Sequence, residues 1–251
     1  MWDELAAVMT ARHCKRAFLP HAVPRAVLER VLTAAAHAPS TRNSQPWRVA
    51  VVSGAARDAL AGKLLEEFDR GVSPFADYRN RPPSTDPVIE ERARLAGIGV
   101  LQALGINRED RAARQIHLRQ NMDFYWAPVV MVFHLAADAV PGSFLELGFF
   151  LQNVMLGLVA SGLGSCPQFS VAGYPHLLRE ELDLPGRLIV CTLAVGYPDS
   201  TAPVNTFAPE RAGIADYVRW HDQAPPSFAP ASAGVGVRAS ATCSQSRERT
   251  S

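Results

Sequence analysis

An apolar run of 20 residues, 144–163 (FLELGFFLQNVMLGLVASGL), constrains the fold of this chain more than any other feature. A helix of that length can cross a bilayer or lie buried in a protein core. Polar side chains at a bilayer centre are costly, and no basic flank marks a cytoplasmic end. The run contains Glu146, Gln152, Asn153 and Ser161. We therefore predict a helix buried in a core or an oligomer interface, with no membrane span.

The overall composition is that of a globular protein. Of the 251 residues 48% are hydrophobic and 20% are charged. The formal net charge of +1 provides no field for a nucleic acid, so none is expected as a partner. The four cysteines form no C-x-x-C pair, which argues against a metal site or a disulfide framework. The opening MWDELAAVMTARH lacks the pattern of a secretory signal, and a cytoplasmic location is expected.

Helical and strand-like patterns alternate along the chain. Apolar spacing predicts helices over 2–10, from Pro24 to before Pro39, and over 55–68, 90–121 (with a break near Gly105) and 176–182. Strands are predicted over 47–52, 128–135, 166–171 and 188–195. This alternation predicts an α/β or α+β fold whose sheet is covered on both faces.

Two segments lie outside this pattern. Residues 72–90 are rich in proline and have little periodicity, as in a long loop that is either a functional lid or disordered. Residues 224–251 are rich in Ser, Ala, Pro and Gly and are predicted to be a disordered tail. The domain organisation expected is therefore one domain over 1–223 followed by the tail.

Common catalytic motifs are missing from the sequence. The nearest match to a dinucleotide-binding G-x-G-x-x-G motif, residues 97–102, lacks the third glycine and follows no predicted strand. There is no phosphate-binding G-x-x-x-x-G-K-[ST] loop, no H-E-x-x-H and no G-x-S-x-G. Serine-hydrolase chemistry and metal chemistry carried by protein residues are therefore not indicated.

Two polar segments are candidates for a binding site. Residues 12–18 (RHCKRAF) place several cationic groups together. On a helix Arg12 and Arg16 would share a face and favour an anion between them. The alternative is that they only stabilise a helix C-terminus through its dipole. Residues 39–47 (PSTRNSQPW) offer hydrogen-bonding groups beside Trp47. They suit a flat heteroaromatic ring, or a plain polar turn with Trp47 in the core. The residues alone leave both pairs of alternatives open.

Taken together, these segments resemble the FMN-dependent nitroreductase family. Two later segments, LQNVMLGLVASGLGSCP and LAVGYPDSTAPVNTFAPER, resemble it as well, so that the likeness covers about residues 3–221. The nitrobenzoate-reductase-like members are the most similar, because they share the long proline-rich middle and the C-P-Q that follows the apolar helix. The resemblance implies an α+β nitroreductase-like fold, with a central, mainly antiparallel sheet flanked by helices. It also implies an intertwined homodimer that buries the apolar helix at its interface.

The same resemblance implies an enzyme of oxidoreductase type. Its cofactor would be FMN, its reductant NADH or NADPH, and its substrate an electron-poor aromatic such as a nitrobenzoate, reduced in two-electron steps by a ping-pong cycle. No side chain is assigned as a catalytic acid or base, because the protein positions the rings and tunes the cofactor. Two alternatives stay open: another substrate (a quinone, a halogenated aromatic or an azoline) on the same fold, and a flavin-binding protein without turnover.

The family's cofactor-binding residues can be carried over position by position. Arg12, His13 and Cys14 match the positions that hold the FMN phosphate, as does the late Arg211. Arg16 matches the basic residue beside the N1/O2 edge of the flavin. A fixed cation there would stabilise the negative charge of the reduced ring.

The remaining matches concern the flavin ring. Pro39 and Ser40 match a segment that reaches the flavin from the partner subunit, and Asn43 and Gln45 match polar contacts in that loop. Asn121 matches a contact to the pyrimidine edge. The strand containing Gln168 and Phe169 matches the one whose backbone N–H approaches N5.

Two residues depart from the family pattern. Cys14 replaces the usual Ser or Thr, and Pro209 replaces a second phosphate-binding cation found in some relatives. A thiol is a weak donor, so one phosphate contact is expected to be poorer.

Residues 72–90 and 117–126 could shape the substrate pocket. The latter include Phe124, Tyr125 and Trp126, of which Trp126 at least is predicted to pack in the core.

Overall fold

The computed structural model describes residues 1–81 and 84–222 of the chain. The chain divides into two compact units, Met1–Glu210 and Arg211–Ser251. In its described residues the second unit has one short 3-10 turn, Ile214–Asp216. The predicted tail, 224–251, lies outside the described residues, so the division into domain and tail stays a prediction.

A four-stranded sheet forms the centre of the first unit. Its strands are β1 (Arg48–Ser53), β2 (Val129–Ala136), β3 (Gly164–Gln168) and β4 (Arg187–Gly196). They lie in the order β1-β2-β4-β3, and every neighbouring pair is antiparallel. The predicted α+β fold with an antiparallel sheet is confirmed.

Helices cover both faces of this sheet. They are α1 (Trp2–Ala11), α2 (Arg25–Ala35), α3 (Gly54–Asp69), α4 (Pro87–Ala103), α5 (Arg111–Met122), α6 (Pro141–Ala160), α7 (Pro175–Glu181) and α8 (Pro203–Thr206). Strand alternation divides the core, since Met131 and Phe133 of β2 pack in a cluster with α2 and α6. Val130 and Val132 face a second cluster with α3 and α7. The sheet is therefore covered on both faces, as predicted.

Local differences from the predicted elements have simple causes. Pro24 does not begin its helix: its ψ of 132° is extended, and it is the residue immediately before α2. The third strand lies earlier than predicted, over Gly164–Gln168, because residues 171–173 form a 3-10 turn. The predicted break near Gly105 is confirmed, since this glycine has a φ of +68° between α4 and α5.

The apolar run forms α6, which is long and apolar enough by length and composition to cross a membrane. One row of its side chains, Leu147, Phe150, Val154 and Leu158, is buried in the core cluster shared with α2. This row confirms the prediction of a core helix. Leu145 and Phe149, in contrast, are 61% and 40% exposed in the single chain. An apolar stripe of α6 is therefore available for a partner.

Two glycines of α4 provide a matched test of this packing. A Cβ added at Gly99 would lie 2.2 Å from Cζ of Phe207, whereas one added at Gly97 would have no atom within 4 Å. Gly99→Ala should lower the free energy of unfolding by about 1–3 kcal/mol, because the Phe207 ring must shift. Gly97→Ala should raise it by about 0.5–1 kcal/mol, because alanine favours a helix.

Urea denaturation followed by circular dichroism measures both variants. Equal effects of the two substitutions would show that Phe207 does not pack against α4 in solution.

Candidate active site

The N-terminal basic segment is extended rather than helical. Helix α1 ends at Ala11, and Arg12 already has extended backbone angles (φ −71°, ψ 106°). Cys14 forms a parallel bridge to Ser165, on the side of β3 away from β4. The helical alternative for Arg12 and Arg16 is therefore wrong. Side chains alternate along extended backbone, so Arg12, Cys14 and Arg16 point to one side of the segment.

The buried Asn205 holds this segment in place. Its Oδ1 accepts a hydrogen bond from the backbone N–H of Arg16 (2.7 Å), and its Nδ2 donates to the carbonyl of Ala17 (2.7 Å). Its own carbonyl accepts from Nζ of Lys15 at 2.9 Å and lies 2.8 Å from Nε2 of His13. The side chains of His13 and Lys15 therefore turn towards Asn205, away from Arg12 and Arg16. A phosphate contact of His13 stays a prediction.

On the other side of the segment, charge is concentrated around Arg16. Burial alone would lower the pKa of Arg16, but the neighbouring Cys166, Tyr125 and Cys14 raise it, and Tyr125 also hydrogen-bonds it. Arg16 is therefore positively charged at neutral pH. It is the fixed cation that the resemblance places beside the flavin.

The thiols of Cys14 and Cys166 are neighbours and affect each other's ionisation. The hydrogen bond from Cys166 lowers the pKa of Cys14 to about 6, against the opposing effect of burial, and the charges of Arg16 and Arg12 lower it further. The contact with Cys14 and burial raise the pKa of Cys166. The first proton is therefore lost from Cys14, which becomes a thiolate between two guanidinium groups.

Asn121 and Gln168 meet beside this cluster. Nε2 of Gln168 donates to the carbonyl of Asn121 at 2.8 Å, and Oδ1 of Asn121 accepts from the hydroxyls of Tyr125 (2.7 Å) and Ser170 (3.3 Å). Tyr125 thus links Asn121 to Arg16. Among the described residues, Oε1 of Gln168 is a buried acceptor without a protein partner. A buried acceptor of this kind is satisfied by a donor from a ligand or an ordered water.

Tyr125 owes its position to a strained turn. Phe124, Tyr125 and Trp126 have φ values of +53°, +56° and +60°, in the left-handed region that costs about 1–3 kcal/mol for each residue other than glycine. Arg57 holds the turn: its Nε donates to the carbonyl of Ala127 (3.0 Å), and its guanidinium pairs with the carboxylate of Asp123 (2.7 Å). Phe124 and Tyr125 are buried by this turn. Trp126 is 58% exposed, so the predicted core packing of Trp126 is wrong.

The second polar segment is anchored to α6. The backbone N–H of Thr41 donates to Glu146 (2.7 Å), and the N–H of Gln45 donates to Oγ of Ser40 (3.0 Å). Asn43 and Gln45 have positive φ angles and are joined by a side-chain hydrogen bond of 3.1 Å. Glu146, a polar residue of the apolar run, therefore fixes the loop that the resemblance places against a flavin.

The two groups of predicted residues lie at opposite edges of the sheet. The loop leads directly into β1, whereas Cys14 pairs outside β3, about 19 Å away when four strand spacings are counted. Trp47, at the end of the loop, is buried and stacks on Phe150 with the ring centroids 4.9 Å apart. One group consists of Arg12, Cys14, Arg16, Asn121 and Gln168. The other consists of Pro39, Ser40, Asn43 and Gln45.

Three predicted residues fall in neither group. The side chain of His13 turns towards Asn205. Phe169 follows Gln168 and is exposed. Arg211 begins the second unit, and its phosphate contact stays a prediction.

An open cleft of about 530 Å³ lies in front of Arg16 and Tyr125. Helices α4 and α5 form its other walls, with apolar residues such as Ile98 and Leu101. Burial and the charge of Arg16 lower the pKa of His117, which also lines the cleft. Four further arginines line it: Arg81, Arg94, Arg108 and Arg114. Arg81 belongs to the segment 72–90, a predicted candidate for shaping the pocket. Sequence reasoning missed the other three, because no local motif marks them.

Three structural residues of the site were missed as well. Asn205 lies in the segment LAVGYPDSTAPVNTFAPER, so the family likeness was the available signal for it. Arg57 and Glu146 carried no local signal. Within the described ranges, no group of three or more His, Cys, Asp or Glu residues could hold a metal ion.

Comparison with known proteins identifies the family. The family model described as "Nitroreductase family" matches residues 9–197. The chain belongs to the nitroreductase family. It is 34% identical to nitroreductase NfnB of Mycolicibacterium smegmatis over 85% of this chain and 91% of that protein. It is 32% identical to a 4-nitrobenzoate reductase of Nocardioides, over 86% and 90%.

Solved structures of nitroreductases share the fold. The FMN-dependent nitroreductase NfnB from Mycobacterium smegmatis, in complex with NADPH, has a TM-score of 0.84 at 33% identity, covering 88% of this chain and all of that one. The FMN- and NADPH-dependent NfnB from a Sphigopyxis strain has a TM-score of 0.84 at 34% identity, covering 86% and 98%. The nitroreductase fold expected from the sequence is thereby confirmed.

The thiol pair predicts an unusual titration of Cys14. Alkylation of Cys14 by iodoacetamide, followed by mass spectrometry across pH in protein freed of bound flavin, should reach half its maximal rate near pH 6. Cys166→Ala removes the neighbouring thiol and should move the midpoint upwards, towards 9.0. Since the folded pKa is below the unfolded one, ionisation of Cys14 stabilises the fold fully above pH 9, and this contribution is lost as the pH falls through 6. A midpoint that does not move in Cys166→Ala would contradict the assignment.

Proposed function

We propose that this nitroreductase is an FMN-dependent enzyme that uses NAD(P)H to reduce nitroaromatic compounds, nitrobenzoates among them. The observation that carries the proposal is the half-buried cation Arg16, oriented by Tyr125 and joined through it to Asn121 and Gln168. Relatives named nitroreductase and 4-nitrobenzoate reductase, at 30–34% identity, support it. A cytoplasmic location belongs to the same proposal, because NAD(P)H is the reductant.

The residues present fit FMN. A flavin mononucleotide needs cations for its phosphate and for its pyrimidine edge, and an acceptor for a ring N–H. Arg12 and Arg16 supply two guanidinium groups on one side of an extended segment. The unpartnered Oε1 of Gln168 supplies a buried acceptor. Arg12 would then hold the phosphate, with Cys14 beside it, while Arg16, Asn121 and Gln168 would hold the ring.

The role of the protein in the reaction is binding and electrostatic tuning. When bound, FMN supplies the hydride and electron transfer between NAD(P)H and the nitro group. Arg16 stabilises negative charge that develops at the pyrimidine edge, and its burial strengthens this effect. Tyr125 orients the guanidinium of Arg16, and Arg57 holds the turn that carries Tyr125. No residue is assigned as a general acid or base.

The first experiment tests the flavin site. The purified enzyme should show flavin absorption bands that bleach on anaerobic addition of NADPH or NADH and return when a nitrobenzoate is added. Arg16→Ala should lower the rate of bleaching by about tenfold or more, because a charge-assisted contact is lost. Arg25→Ala, which removes an exposed arginine paired with Glu29 on α2, is the control and should leave the rate unchanged.

Two results would contradict the proposal. One is a protein that takes up no FMN even after incubation with it. The other is bound flavin that NAD(P)H reduces no faster than free FMN, which would indicate a binding protein without turnover. Turnover rates of several nitroaromatics and a quinone are compared as well. Negligible turnover of all the nitroaromatics, with turnover of the quinone, would identify a different substrate.

Cys14 predicts a specific weakness of phosphate binding. At neutral pH the thiolate of Cys14 cannot donate a hydrogen bond and repels a phosphate. Pro209 provides no compensating charge. Cys14→Ser should therefore tighten FMN binding by about two- to tenfold. The gain, measured by quenching of flavin fluorescence, should be larger at pH 8 than at pH 5.5; an equal gain at both values would exclude thiolate repulsion as the cause.

We further propose that the enzyme acts as a homodimer in which each site combines two chains. The loop with Ser40 and Asn43 lies at the sheet edge opposite Arg16, so one chain is not expected to bring both groups to one flavin. Exposed apolar side chains support an interface through α1 and α6. They are Trp2, Leu5, Met9, Leu145 and Phe149.

Mixed dimers test this arrangement. One subunit carries Arg16→Ala and the other carries Asn43→Ala with Gln45→Ala; differently tagged chains are coexpressed and the heterodimer is isolated. If the loop acts on the partner's site, one of the two sites is intact and the heterodimer regains half of the wild-type flavin content. If the loop acts within its own chain, both sites are damaged and no flavin content is regained.

A further inference from the structure

The cleft in front of Arg16 is lined by more positive charge than the proposed flavin site uses. Five of its lining residues are arginines, Arg16, Arg81, Arg94, Arg108 and Arg114, and we refer to it as the arginine cleft. No Asp or Glu is among the described residues that line it. Arginine presents a planar fork of donors that matches a carboxylate or a phosphate in a bidentate manner.

Most of this positive charge is left uncompensated by the protein. Among the described residues, Arg94 is the one of the five with a carboxylate in ion-pair distance, Glu91 at 2.6 Å. Arg114 donates to the backbone carbonyl of Arg108 at 3.2 Å, which orients its guanidinium and leaves its charge in place. Like charges that line one cleft repel one another, and a bound anion relieves this repulsion.

The rest of the lining suits a ring attached to the anionic group. Ile98, Val100, Leu101 and Leu118 provide apolar surface between the arginines. Because the pKa of His117 is lowered, its ring is neutral at neutral pH and adds no further charge. The cleft reaches Arg16 and Tyr125, the residues of the proposed flavin site. A ligand held here therefore lies next to the reacting centre.

We propose that the arginine cleft is an organic-anion subsite, which binds the carboxylate or phosphate of a ring-bearing compound that reacts at the flavin. This inference rests on the proposed function for the identity of the reaction, but the binding itself does not depend on turnover. Two sources share the required chemistry: the carboxylate of an aromatic acid such as nitrobenzoate, and the phosphates of the nicotinamide dinucleotide. Arg108 and Arg114 contribute charge without an ion-pair partner among the described residues, and are the specificity residues assigned.

Equilibrium binding to the purified protein tests the subsite without catalysis. Isothermal titration calorimetry compares benzoate with its neutral analogue benzamide, and adenosine 2′-monophosphate with adenosine. At least one anion should bind about tenfold or more tightly than its neutral partner, because charge-assisted hydrogen bonds to arginine are lost in the neutral compound. Arg108→Gln combined with Arg114→Gln should abolish this preference.

The control is Arg25→Gln combined with Arg30→Gln, an equal change of net charge on α2, outside the cleft. It should keep the anion preference. Circular dichroism checks that both double variants are folded, and Arg81→Gln, a further single replacement in the cleft, should weaken the preference if the double variant proves unfolded.

The two pairs of compounds distinguish between the two candidate ligands. A preference for benzoate that the cleft variant loses assigns the subsite to the aromatic substrate, and one for adenosine 2′-monophosphate assigns it to the dinucleotide. Two results overturn the proposal. In one, the wild type prefers neither anion over its neutral analogue; in the other, the cleft variant keeps the preference. A protein that binds no FMN but retains the anion preference would overturn the proposed function alone.

Discussion

The active-site architecture depends on the hydrogen bonding of one buried amide. Asn205 is 3% exposed, and its side chain pairs with backbone groups of Arg16, Ala17 and Asp199. The groups of Arg16 and Ala17 lie beyond the end of α1. Leaving a buried backbone group unpaired costs about 1–3 kcal/mol. Asn205 therefore fixes residues 15–17 as extended chain along β3. The alternation of extended backbone then brings Arg12, Cys14 and Arg16 to one side, which a helix would not do.

A second constraint determines what surrounds the cation. Three consecutive left-handed residues would be unfavourable in isolation, and the buried guanidinium of Arg57 compensates with hydrogen bonds to both ends of the turn. Its position 5.5 Å from the centre of the Phe124 ring adds a cation–π contact. The strain is maintained because it keeps Tyr125 against Arg16 and Asn121. The contacts of Arg57 with the turn thus hold the hydroxyl of Tyr125 beside the charge of Arg16.

These two constraints explain how far sequence patterns could predict the structure. Strands such as β2 and β4 are nearly continuous apolar runs, and α6 is a long apolar helix, so their existence follows from burial alone. The left-handed backbone at Phe124–Trp126 could not be predicted, because none of these residues favours positive φ and the stabilising Arg57 is distant in sequence. Likewise, Asn205 acts on His13 and Arg16 across about 190 residues. The family resemblance identified Arg16, Asn121 and Gln168 as site residues. Only the strand order shows that the loop with Ser40 and Asn43 precedes β1, at the edge of the sheet opposite Arg16.

The width of the sheet links the site to assembly. Four strand spacings separate the loop before β1 from the segment outside β3, and this separation is fixed by backbone hydrogen bonds, so no side-chain movement can close it. The loop is also held by Glu146 on the same helix whose Leu145 and Phe149 are exposed. Any partner that covers this stripe of α6 must lie next to the loop. If that partner is a second copy of the chain, dimerisation both buries the apolar stripe and places the loop next to the partner's Arg16. A single folded chain would then lack a complete flavin site.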